Sequence, residues 1–200
     1  MFLLKTNEIE KAAEIIRNGG TVIFRTETVF GIGADAENAK AVGKIFTAKN
    51  RPENKSIILQ FPNVRAVKNS FPNDVDFVTE KVLKKFKNGL TVILKNGAGV
   101  RVPNDKIARR LLTACARPLA VTSANISGQP DAKTWENARD ALKDRVDAII
   151  MSRPARFGVP STIIRISENG VEIIRQGFID PAKITHFVNH LTRPDRPCHN

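Results

Sequence analysis

Residues 7–24 read Asn7-Glu8-Ile9-Glu10-Lys11-Ala12-Ala13-Glu14-Ile15-Ile16-Arg17-Asn18-Gly19-Gly20-Thr21-Val22-Ile23-Phe24. Ile9, Ala12, Ala13 and Ile16 share one stripe at helical spacing, with Asn7 as the cap and Glu10 completing a capping box. Gly19-Gly20 ends the helix, and Thr21–Phe24 follows as a strand. The same alternation continues along the chain. Helices are predicted over Ala39–Ala48, from an Asn73 or Asp74 cap to Phe86, around Ile107–Leu112, and over Trp135–Leu142 behind Thr134. Strands are predicted over Ser56–Gln60, Leu90–Lys95, Pro118–Thr122 and Asp147–Met151. The last quarter adds two β-rich runs, Ser161–Ile166 and Val171–Arg175, joined by Ser167-Glu168-Asn169-Gly170, a hairpin signal. Asp180-Pro181 then opens a final helix. Interleaved helices and strands plus a hairpin imply a single α/β domain over residues 1–192, a twisted mixed β-sheet flanked by helices. Residues 193–200, with Pro194 and Pro197, are expected to form a flexible tail.

Composition narrows the function classes. Of 200 residues, 42% are hydrophobic and 26% charged, which excludes whole-chain disorder. No apolar run approaches the roughly 20 residues of a membrane span. Met1-Phe2-Leu3-Leu4-Lys5 is too short for a signal peptide, so a cytoplasmic protein with no membrane partner is expected. Lys and Arg number 32 against 20 Asp and Glu, a net charge of +12, which suggests an anionic partner: nucleotide phosphates, a nucleic acid, or both. Two cysteines, Cys115 and Cys198, allow no disulfide framework. The histidines, His186, His190 and His199, crowd into the last fifteen residues, which argues against triad hydrolysis.

Several short motifs carry chemistry, each with a plainer reading beside it. Gly31-Ile32-Gly33-Ala34-Asp35-Ala36 fits GxGxx(G/A), but the position where an acid is wanted holds Ala48-Lys49-Asn50-Arg51, so these read as tight-turn glycines. Arg25-Thr26-Glu27-Thr28 follows a strand as a ligand-reading loop or an exposed turn. Lys49, Arg51 and Lys55 cluster after a helix, as phosphate ligands or as cations favoured by the helix dipole. Thr122-Ser123-Ala124-Asn125-Ile126-Ser127-Gly128 suits a phosphate or ribose, or an ordinary loop. Lys81, Lys84 and Lys85 share a helix face, solvated or an RNA footprint. His186 and His190 with Cys198 and His199 give incomplete zinc spacing, and no metal site is assigned.

Together these residues resemble the YrdC-like threonylcarbamoyl-adenylate synthases, in the short single-domain form. The run Gly20–Gly31 is similar to that family's first signature, and Ile45–Pro52 to its K-x-R motif. Arg101-Val102-Pro103, Thr122–Gly128, Pro160-Ser161-Thr162 and Ile174-Arg175-Gln176-Gly177 follow in the family's order. The resemblance implies a YrdC-like fold around a basic central cavity. It implies synthesis of L-threonylcarbamoyladenylate from L-threonine, bicarbonate and ATP with release of pyrophosphate. The product would serve the threonylcarbamoyladenosine of tRNA position 37, passed on by a downstream threonylcarbamoyl-transferase machinery. Lys49 and Arg51 are then the catalytic cations. Arg51, Lys55, Ser123, Asn125, Asp131 and Arg175 bind ATP; Thr28, Gln60, Arg101, Val121 (by its backbone) and Ser161 bind threonine. Arg25, Phe30 and Gln60 stand where relatives usually have proline, tyrosine and histidine.

The chemistry agrees. A carbamate oxygen attacking the α-phosphorus of ATP needs positioning and charge stabilisation, with no Cys or His nucleophile. Mg²⁺ is expected as Mg-ATP, neutralising the pyrophosphate, with no tightly bound cofactor. Weak electrostatic contact with tRNA is expected from the surplus charge. The rivals are a basic RNA-binding module without catalysis and a carbamoyl-transfer relative with another acceptor.

Overall fold

In chain order, β1 (Phe2–Leu4) leads into α1 (Ile9–Arg17), β2 (Val22–Arg25), β3 (Phe30–Asp35), α2 (Ala39–Lys49) and β4 (Ile58–Gln60). Next come α3 (Val64–Ser70), α4 (Phe77–Lys85), β5 (Leu90–Ile93), β6 (Gly99–Arg101), α5 (Lys106–Cys115) and β7 (Leu119–Ser123). The chain finishes with α6 (Trp135–Leu142), β8 (Ala148–Ile150), β9 (Thr162–Ser167), β10 (Gly170–Arg175) and α7 (Pro181–Leu191). This computed structural model describes residues 1–192; the expected flexible tail, with Cys198 and His199, lies outside the described residues.

One ten-stranded sheet runs β1-β8-β2-β3-β7-β4-β6-β5-β9-β10. It is mixed: β8 pairs in parallel with β1 and β2, β4 with β6 and β5 with β9, while β3, β7 and β10 pair antiparallel. Successive strand residues point to opposite faces. Val22 and Phe24 therefore join α1 and α5 in one core cluster, and Ile23 joins the cluster of α2 and α6 on the other face. At the far end, Leu90, Val92, Val100 and Ile164 pack against α3, α4 and α7. The residues alternating with them (Thr91, Arg101 and Ile163, with Ile58 and Gln60 of β4) line a cavity. Period-two patterning thus gives this half of the sheet one apolar face under helices and one polar face over a cavity.

Several local expectations shift. Glu8, not Asn7, stands at the start of α1, and its carboxylate accepts from the Lys5 N–H at 2.8 Å. Asp76, not Asn73 or Asp74, caps α4, and Asp74 instead accepts from the backbone and side chain of Asn96. The short β1, β6 and α3 carry too few residues for a periodic signal. Gly31 and Gly33 lie within β3 and turn nothing. A Cβ at Gly31 would stand 2.9 Å from Val121 Cγ1, and one at Gly33 2.8 Å from Phe24 Cε1. These glycines let neighbouring side chains cross the strand closely.

Candidate active site

The cavity opens where β3, β4, β5, β6, β7 and β9 meet. Its wall includes Thr26, Arg51, Gln60, Thr91, Arg101, Val121, Ser123, Asp131, Ser161 and Arg175. Eight of the twelve residues singled out from the sequence line it: Arg51, Ser123, Asp131 and Arg175 of the nucleotide group, and Gln60, Arg101, Val121 and Ser161 of the threonine group. Lys49, Asn125 and Thr28 are buried behind that wall, and Lys55 is exposed outside it.

Lys49 ends α2, at 1% exposure one of the least accessible cations. Its ammonium donates to the Ser123 and Asn125 carbonyls at 2.5 Å each and to Asn125 Oδ1 at 3.3 Å. Asn125 in turn donates to the Ile126 and Gln129 carbonyls, and the Ser127 N–H bonds the Lys49 carbonyl. Lys49 is therefore the pin of the loop that presents Ser123 and Asp131. Burial, with the like charge of Arg51 adding to it, pushes its pKa down from 10.5 to about 8, and Asp131 opposes the shift.

Arg51 follows the left-handed Asn50, which turns the chain off the helix end. Its Nη2 donates to the Ser56 carbonyl at 2.6 Å and its guanidinium lies 6.0 Å from the Phe46 ring centroid. Arg175, at the end of β10, donates to the Ser161 carbonyl at 2.8 Å and to Ser161 Oγ at 3.2 Å. Burial lowers the pKa of both guanidinium groups. Each remains cationic and faces the cavity beside Asp131.

Arg101 is held differently. Its Nη2 donates to Glu27 Oε1 and to Thr28 Oγ1, each at 2.7 Å, with both ionic side chains under 10% exposed. Thr26 Oγ1 donates to the Val29 carbonyl at 2.7 Å, so the 2.8 Å contact between the two threonine hydroxyls runs from Thr28 to Thr26. The chain Arg101→Thr28→Thr26→Val29 spends the Thr28 hydroxyl proton inside the wall. Thr26, rather than Thr28, reaches the cavity. Arg101 Nε and Gln60 Oε1 are buried without a partner among the described residues, and they sit on residues paired in register between β4 and β6. Thr91 and Ser161 share a hydroxyl pair at 2.9 Å on the same wall.

Sequence reasoning missed Thr91 and the clamp of Glu27 on Arg101; Thr26 was included only through its loop, whose Thr26, Glu27 and Thr28 are buried and form no exposed turn. Thr91 was detectable as the one polar residue amid Leu90, Val92 and Ile93. Arg25 makes an ion pair with Asp105 at 2.9 Å, fixing the end of β2 to the cap of α5.

Comparison with known proteins places this architecture. A family model named for Sua5, YciO and YrdC, and described as "Telomere recombination", matches residues 14–177. A putative threonylcarbamoyl-AMP synthase of Methanocaldococcus jannaschii is 32% identical, with 92% of this chain and 94% of that protein covered. The threonylcarbamoyl-AMP synthases of Pyrococcus abyssi and Bacillus subtilis are 31% and 30% identical over 92% and 94% of this chain. This chain spans only 58% and 59% of their lengths. Among solved structures, P. abyssi Sua5 complexed with L-threonine superposes with a TM-score of 0.83 at 28% identity, covering 93% of this chain and 60% of that one. E. coli YciO superposes at 0.78 and 25% identity, covering 92% and 98%. The family match over residues 14–177, with relatives 31% and 32% identical over 92% of its length, shows that the chain belongs to the Sua5/YciO/YrdC family.

Proposed function

We propose that this protein makes L-threonylcarbamoyladenylate from L-threonine, bicarbonate and ATP, releasing pyrophosphate. The observation that carries the reading is that one cavity brings two sets of side chains together, touching where Arg175 donates to Ser161. Arg51 and Arg175 with Ser123 suit a triphosphate; Arg101, Gln60, Thr91 and Ser161 suit a small amino acid with a hydroxyl. Relatives named threonylcarbamoyl-AMP synthase, and a Sua5 structure holding L-threonine, support it.

The threonine amine and bicarbonate combine to a carbamate with loss of water, and a carbamate oxygen attacks the α-phosphorus as pyrophosphate leaves. The protein's part is to align the two and to stabilise charge on the phosphates. Arg51 and Arg175 grip the phosphates, Lys49 holds the loop beneath them, and Arg101 orients the amino-acid carboxylate. Magnesium bound with the nucleotide would supply neutralisation of the leaving pyrophosphate. Among the described residues no group of three His, Cys, Asp or Glu is placed to hold an ion, and Asp131 is the one carboxylate on the wall. Asp131 would hold such an ion beside the substrate phosphates. The product would feed tRNA modification through a transferase, with tRNA itself held by surface charge.

The test is pyrophosphate release from ATP, with L-threonine and bicarbonate omitted in turn. Release should require both. A rate indifferent to threonine refutes the reading and leaves a nucleotide-binding or carbamoyl-transfer protein.

A further inference from the structure

Three arginines line the cavity, and only one of them meets a carboxylate. Arg51 donates to the Ser56 carbonyl, and Arg175 to the carbonyl and hydroxyl of Ser161. Among the described residues, no acid forms an ion pair with either. Asp131 acts on Lys49 and Arg175 through space, leaving Lys49, Arg51 and Arg175 in clear surplus over it. Arg101 has Glu27 at 2.7 Å, buried to 3% exposure and absent from the cavity wall. Glu27 is itself immobilised: Oε2 accepts from the Asn104 N–H at 3.0 Å, and its carbonyl accepts from the Phe157 N–H at 2.9 Å. Its carboxylate cannot swing away when a ligand arrives without giving up both Arg101 and the Asn104 N–H.

The guanidinium groups of one cavity therefore differ in compensation: Arg101 is matched by a buried carboxylate, while Arg51 and Arg175, the latter near enough to Arg101 to feel its charge, are not. A polyphosphate gains most where positive charge is uncompensated in a partly dry site. At Arg101 its several charges would also meet the fixed Glu27 carboxylate. A single carboxylate loses far less there, because it needs only the N–H donors that Glu27 leaves unused. Arg101 Nε, buried and unpaired, is one of them. Discrimination between ligands commonly rests on such a repulsive element.

Resting on the function proposed above, we propose that Glu27 is the specificity-determining residue that divides the cavity by charge. It reserves Arg101 for a singly charged carboxylate and leaves polyphosphate to Arg51 and Arg175. Without it, ATP or released pyrophosphate would compete for the amino-acid subsite.

The probe is inorganic tripolyphosphate, followed by calorimetry against wild type, Glu27→Gln, and Glu27→Gln combined with Arg101→Met. Wild type should bind one tripolyphosphate, which displaces ATP yet changes the apparent Kd of L-threonine by less than about twofold. Folded Glu27→Gln should bind a second tripolyphosphate and lose apparent threonine affinity about tenfold in its presence. The added Arg101→Met should abolish the second site. Tripolyphosphate displacing threonine from wild type as readily as ATP overturns the proposal, as does a folded Glu27→Gln that still binds only one. If Glu27→Gln does not fold, the wild-type competition decides. A protein that binds no threonine at all refutes the proposed function, while the tripolyphosphate stoichiometries still judge the role of Glu27.

Discussion

Lys49 spends its three ammonium hydrogens on the Ser123 carbonyl, the Asn125 carbonyl and the Asn125 side chain. No surface cation would be so fully committed, so the charge at this position serves loop geometry before it serves phosphate. Lys49→Met keeps most of the volume and removes all three bonds. It should lower turnover about 10²-fold, as displacing the loop that presents Ser123 and Asp131 does, with circular dichroism unchanged. The pH dependence of stability has a definite sign. Burial places the folded-state pKa near 8, below the ordinary 10.5, so the unfolded chain binds more protons between these values. Wild type should gain stability relative to Lys49→Met as pH rises from 8 to 10.5, read as the difference in their Tm values. A difference that shrinks with pH would contradict the burial of a charged Lys49. That Lys49 is a cation at a helix end is plain from the sequence. That its partners stand 74 and 76 residues downstream is not, since nothing local to Lys49 encodes them.

At the level of elements, the hairpin of β9 and β10 carries Arg175 to the cavity, and the chain then leaves β10 through Gly177. A Cβ at Gly177 would lie 2.3 Å from the Pro160 carbonyl and 2.4 Å from the Ser161 carbonyl carbon, both rigid backbone. Gly177→Ala should therefore destabilise the fold by about 1–3 kcal/mol in denaturant titration, as overpacking does. It should also weaken ATP binding by moving Arg175 off Ser161. Unchanged stability and affinity would mean that this crossing is looser than the structure shows. The hairpin was legible because Asn169-Gly170 supplies the turn chemistry within the segment, and α7 because Asp180 caps it and Pro181 starts it. β1 and β6 were not: three residues show no period, and β1 exists by pairing with β8, more than 140 residues away. The two glycines of β3 were read as a turn because the demand on them comes from Val121 and Phe24 across the sheet. The cavity wall was legible as a residue list through the family resemblance. Its charge division was not, because it depends on Glu27 meeting Arg101, 74 positions on.

Over the whole molecule, the cavity accounts for only a few of the 32 cations. A groove away from it is lined by Arg65, Lys84, Lys87 and Arg109, and an adjoining one by Lys106, Arg109 and Arg110. Lys84 is already paired with Glu80, so the sequence-predicted footprint of Lys81, Lys84 and Lys85 is partly neutralised and α5 contributes more of the field. tRNA binding should be weak, roughly micromolar, and fall steeply with salt. Arg109→Ala should reduce the log–log salt slope by about 1 in a filter-binding titration, and an unchanged slope would remove this face from the interface. The central claim concerns covalent chemistry, and one measurement reaches it most directly. The protein is incubated with ATP, L-threonine and isotope-labelled bicarbonate, and the adenylate is isolated and weighed by mass spectrometry. The account predicts threonylcarbamoyladenylate carrying the bicarbonate carbon, formed in step with pyrophosphate. An unlabelled threonyl-adenylate, or AMP and pyrophosphate with no labelled adduct, would contradict it.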